Sequence, residues 1–147
     1  MIEECLNDGA VFTESPVSNY VDVGTAQDWF EYNDKAVIFC DIDGTIIKAQ
    51  SRTEIGSTPV VLEQNITSIK KLLATGSEII FTTARPAQHH ATTEKMLTEL
   101  GFVNFKLLSG LSNAKRILIN DYNEANPYPR AVSINIKRNH DNLKDFL

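Results

Sequence analysis

The residues best able to do chemistry stand together in Asp41-Ile42-Asp43-Gly44-Thr45, directly after the apolar run Ala36-Val37-Ile38-Phe39-Cys40. Such a run reads as a strand buried on both faces, and two acids two residues apart fall on the same side of an extended chain. They stand at the carboxyl end of that strand, where open α/β sheets bind ligands, and Gly44 lets the chain turn away at once. Neighbouring carboxylates held there lose hydration and repel each other. A bound cation, or protonation of one acid, removes much of that cost. As a solvated surface turn the pattern would arise by chance on the order of once in several hundred such chains. A calcium-binding loop is excluded, because Ile46 and Arg52 occupy the places that need Gly and Glu.

The elements that must position these acids follow from periodicity. Val60 to Ala74 carries Val61, Ile66, Ile69, Leu72 and Leu73 at helical spacing, and Gly76 marks the stop. Ile79-Ile80-Phe81 predicts a second strand, and Ala87 to Leu100 a second helix ended by Gly101. Further strands are expected at Phe102 to Leu108, Arg116 to Ile119 and Ala131 to Ile136. The polar stretch 46–58 reads as a loop or small hairpin. Strands alternating with helices predict a parallel sheet with helices on both faces. Residues 1–34 read as an N-terminal extension, with a short strand at Val21-Asp22-Val23 and a helix capped by Thr25, ahead of a single domain over 35–147.

The segment Val37 to Thr45 resembles the first motif of the haloacid dehalogenase superfamily of phosphohydrolases. Ile79-Ile80-Phe81-Thr82-Thr83-Ala84-Arg85 resembles the second motif, Lys115 the third-motif lysine, and Ile117-Leu118-Ile119-Asn120-Asp121 the fourth. The match covers about residues 35–136. Thr82 competes with Thr83 and Lys106 with Lys115. Ala125 stands where the fourth motif commonly has a second acid, with Glu124 beside it.

The resemblance implies a three-layer, Rossmann-like α/β sandwich and Mg²⁺-dependent hydrolysis of a phosphomonoester. Asp41 would attack phosphorus and form an aspartyl-phosphate. Asp43 would protonate the leaving oxygen and then deprotonate the hydrolytic water. Asp41 and Asp121, with the main-chain carbonyl of Asp43, would hold Mg²⁺, which takes oxygen ligands. Lys115 and the Thr83 hydroxyl would contact the phosphoryl group, beside Gly44 and Thr45. Arg85 is either a substrate contact or a structural partner. One helix and one strand nearly fill each interval between motifs, so no cap domain fits. Selection is then left to the loop 46–58, to Arg85 or to a neighbouring subunit in a homo-oligomer. Lys48 and Arg52 are the loop's cations, and either hold an anionic substrate or are merely solvated.

A net charge of −5 disfavours a nucleic-acid partner; the resemblance implies a small phosphorylated metabolite as substrate, with a phosphoprotein, a nucleic-acid 3′ end or a catalytically silent binding domain as the alternatives. Two cysteines, Cys5 and Cys40, are too few for a disulfide scaffold, and no apolar run approaches a membrane span, so a cytoplasmic location is expected. His90 and Glu94 share a helix face but are too few for a metal site. Tyr20 to Trp29 is similar to a segment near the end of sugar nucleotidyltransferase domains, which would imply a role in surface polysaccharide synthesis.

Overall fold

The computed structural model describes residues 35–121 and 131–147, all within a compact unit spanning Asn33–Leu147. The expectations for the N-terminal extension 1–34, including Cys5 and Tyr20 to Trp29, and for Glu124 and Ala125 lie outside the described residues.

Three strands form a parallel sheet in the order β1-β2-β3: β1 Val37–Asp41, β2 Glu78–Thr82 and β3 Lys106–Leu108. Helix α1, Glu63–Ala74, connects the first pair. A 3-10 turn, Ala87–His89, leads into helix α2, His90–Glu99, which connects the second pair. The register sets Cys40 beside Phe81 and Phe81 beside Leu107. This is the expected α/β alternation.

Burial alternates along β1, where Ile38 and Cys40 face the core while Val37 and Phe39 are about half exposed. Among the described residues, therefore, β1 is buried on one face and not on both. Ile66 and Ile69 of α1 and Met96 and Leu97 of α2 pack on that face with Cys40, Ile79 and Phe81. Phe81 takes edge contacts from Phe102 and Phe105, at ring separations of 4.9 and 5.7 Å. Such pairs add to the burial of the rings themselves.

Helix α1 begins three residues later than periodicity predicts. Val60 and Val61 are held outside it: Val61 bridges Ile47, and the Lys48 amide donates to the Val60 carbonyl at 2.8 Å. Its first turn is capped from far along the chain, since the Asp141 carboxylate accepts from the amides of Gln64 at 3.1 Å and Asn65 at 2.8 Å. An acid there satisfies orphan donors and meets the positive end of the helix dipole. Gly76, at φ +94°, ends the helix as expected.

Two predicted strands do not form. Residues 116–119 and 131–136 are irregular, and Ile117, Leu118, Ile119 and Val132 are more than half exposed. An apolar, β-prone run becomes a strand only when a neighbour supplies its hydrogen bonds, and no ladder partner for either run occurs among the described residues. A short 3-10 turn, Leu143–Phe146, was not expected, and it seats Leu143 in the core.

Candidate active site

Asp41 is the last residue of β1, level with Thr82 at the carboxyl end of β2. Beyond it the chain turns tightly: the Gly44 amide donates to the Ile47 carbonyl at 2.7 Å and Ile46 to Ile42 at 3.1 Å. Ile42, Ile46 and Ile47 are wholly buried, so the apolar residues of the loop anchor its polar ones. Gly44 has φ +92°, and a Cβ there would come 2.7 Å from Cγ of Arg138. A larger residue at 44 would be strained and would also displace that arginine.

These strand ends form one wall of an open cleft of about 400 Å³. Asp41, Asp43, Thr83 and Arg85 line it together with Arg52. Thr83 lines the cleft and Thr82 does not; Thr82 donates instead to the Cys40 carbonyl at 3.5 Å. Thr83 is 1% exposed, and its hydroxyl accepts from the Arg85 amide at 3.1 Å.

Arg85 is the structural partner of Asp43. Its Nε donates to Oδ2 at 2.8 Å and its Nη2 to Oδ1 at 2.9 Å, a two-pronged ion pair. Nη2 also donates to the Gln50 side chain at 2.8 Å, and Nη1 reaches Thr93 at 3.5 Å. The guanidinium is nearly inaccessible, whereas the Asp43 side chain keeps 20% of its surface. Buried, planar and held at several points, Arg85 fixes the position of Asp43.

Asp41 lies open in the cleft, yet the protein crowded around its carboxyl raises its pKa, and the charge of Asp43 raises it further. The Ile42 amide, Arg116 and Arg138 pull the other way. Behind it, burial pushes the Cys40 thiol up to about 12, so it is a neutral core group.

Several predicted residues are not brought here. Among the described residues lining the cleft, Lys115 and Asp121 are absent, as are Lys48, Lys106, Gly44 and Thr45. The strand expected to end at Asp121 is not formed among the described residues. No group of three His, Cys, Asp or Glu side chains able to hold a metal occurs among the described residues. His90 bonds Ser109 at 2.8 Å rather than joining such a group. Conversely, Gln50, Arg116 and Arg138 line the cleft without having been anticipated. Their only sequence signal was a cation or amide near a loop, which many surface residues share.

A family model described as haloacid dehalogenase-like hydrolase matches residues 38–127. No curated protein and no solved structure matches the chain. Among the described residues, no helix is long and apolar enough to cross a membrane.

Proposed function

The chain belongs to the haloacid dehalogenase-like hydrolases, and on that premise we propose that it is a phosphomonoester hydrolase that works through an aspartyl-phosphate on Asp41. The observation that carries this reading is the pair Asp41 and Asp43 facing Thr83 in a cleft rimmed by guanidinium groups. Carboxylates alone would repel a phosphate dianion, while the arginines and the Thr83 hydroxyl give it partners.

In this reading an Asp41 oxygen forms a bond to phosphorus as the bond to the leaving oxygen breaks. Asp43 gives its proton to that oxygen and later takes one from the water that cleaves the acyl phosphate. Both Asp43 oxygens are held by Arg85. In the acid step one arm of that fork must open to leave an oxygen for the proton, while the other keeps the group aimed.

The donor set suits Mg²⁺ in part. The Asp41 carboxylate and the Asp43 main-chain carbonyl offer hard oxygen ligands at one strand end, and Mg²⁺ needs few protein ligands besides the substrate phosphate. The raised proton affinity of Asp41 is the electrostatic burden that a cation relieves. When bound, the ion would supply charge stabilisation for the phosphoryl oxygens. The third implied ligand, Asp121, is a proposal from sequence alone.

The substrate is proposed to be a sugar phosphate or similar small metabolite handled in the cytoplasm. Surface polysaccharide synthesis is its context, and a second copy of the chain could enclose the open cleft. Hydrolysis of p-nitrophenyl phosphate with and without Mg²⁺ tests the central claim. Turnover that needs Mg²⁺ and disappears in Asp41→Asn supports it. Substrate binding without any turnover would instead make this a silent binding fold.

A further inference from the structure

The C-terminal segment Arg138 to Leu143 is strapped to the catalytic loop and to the start of α1. The Asn139 amide donates to the Gly44 carbonyl at 2.9 Å, and the Asn139 side chain accepts from the Ala49 amide at 2.7 Å. Asn65, wholly buried, donates to the carbonyls of Thr45 at 2.7 Å and His140 at 2.8 Å, and accepts from the Leu143 amide at 2.8 Å. Asp141 caps the helix beside it. This strap fixes one side chain at the cleft: Arg138, whose stem lies on the bare face of Gly44.

Arg138 is not alone. The cleft is lined by Arg52, Arg85, Arg116 and Arg138 against the carboxylates of Asp41 and Asp43. Arg85 is used by Asp43, which leaves three further guanidinium groups lining the cleft, of which Arg116 and Arg138 act on Asp41. Among the described residues, therefore, the cleft lining carries more cationic than anionic side chains, although the chain has a net charge of −5. Arg116 is steadied by donating to the carbonyls of Ser112 and Ala114, and both Arg116 and Arg138 act on the charge of Asp41. These arginines come from segments that flank the cleft, not from the strand ends bearing Asp41 and Thr83. A guanidinium fork suits carboxylate and phosphate oxygens better than a point charge does.

We infer that the cleft selects phosphomonoesters bearing a second anionic group, which Arg138, seated by the strap, binds together with Arg116. This rests on the phosphatase reading above. The second anion is a carboxylate or phosphate on a small metabolite, or the neighbouring phosphodiester of a nucleotide 3′ end.

Matched probes test it. The catalytic efficiency for 3-phosphoglycerate should exceed that for glycerol 3-phosphate, which lacks the carboxylate, by at least about tenfold. Arg138→Ala should cut that ratio about tenfold, mostly through KM, and Arg138→Lys should recover only part of it. A 3′-phosphorylated thymidine dinucleotide compared with thymidine 3′-phosphate distinguishes the phosphodiester source. Near-equal efficiencies within both pairs, or an equal loss on both members in a folded Arg138→Ala protein, would overturn the inference. Calorimetry of the same probes on Asp41→Asn reads the contrast without turnover. Failure to hydrolyse any ester thus counts against the phosphatase reading, and equal affinities count against the second anion site.

Discussion

Asn65→Ala should unfasten the strap, and its cost can be worked from the contacts. The Asn65 side chain is wholly buried and makes three hydrogen bonds of 2.7 to 2.8 Å, to Thr45, His140 and Leu143. Removing it leaves two carbonyls and one amide without that partner. A buried polar group left unsatisfied costs about 1–3 kcal/mol, and a water entering the vacated space would recover part of this. The expected loss is about 3–5 kcal/mol, a large share of the stability of a domain this size. With a urea dependence of about 1.5 kcal/mol per molar, the midpoint falls by at least about 2 M. Asn65→Asp keeps the acceptor for the Leu143 amide but turns a carboxylate oxygen toward two carbonyls. It should be similarly destabilised at neutral pH and partly recover on acidification, because burial beside those carbonyls raises the folded-state pKa of the introduced acid and its protonated form can donate once. Urea melts followed by circular dichroism at pH 7 and pH 5 measure both. A loss below about 1 kcal/mol in both variants would refute the claim that this asparagine holds the C-terminal segment to the catalytic loop.

Arg85→Ala should lower turnover and cost on the order of 3 kcal/mol of stability, since it strands Asp43 beside a vacated buried site; stopped assays and urea melts read the two effects separately. Arg52 lines the cleft and Lys48 does not, so Arg52→Ala should raise KM for an anionic ester several-fold while Lys48→Ala stays within about twofold of the unmodified protein. In metal-free protein Asp41 should titrate above the ordinary carboxylate range, by carbon-detected NMR, and Arg138→Ala should move it higher by removing a charge that favours the ionised form. Because the folded-state pKa is raised, ionised Asp41 destabilises the fold at neutral pH. Asp41→Asn should therefore melt higher than the unmodified protein at pH 7 in excess chelator, the difference shrinking as pH falls toward Asp41's unfolded pKa.

The sequence by itself determined the parts of this protein that rest on local pattern. The apolar run ending in two acids and a glycine placed Asp41 and Asp43 at a strand terminus, and the helical spacing before Gly76 located α1 to within three residues. Thr83 and Arg85 followed from the second strand. The pairing of Arg85 with Asp43, 42 positions away, is a contact that only the fold supplies. Tertiary structure alone decided that Asp141 caps α1, that Asn65 holds the C-terminal turn, and that Arg116 and Arg138 enter the cleft while Lys115 and Lys48 do not. Each of these is a meeting of polar residues far apart in the chain, and a surface arginine or a helix asparagine carries no periodic mark of its distant partner. The strands expected at 116–119 and 131–136 failed for the same reason. Hydrophobic pattern specifies a tendency toward extended backbone, but a strand exists only where another strand takes its hydrogen bonds, and that pairing belongs to the fold.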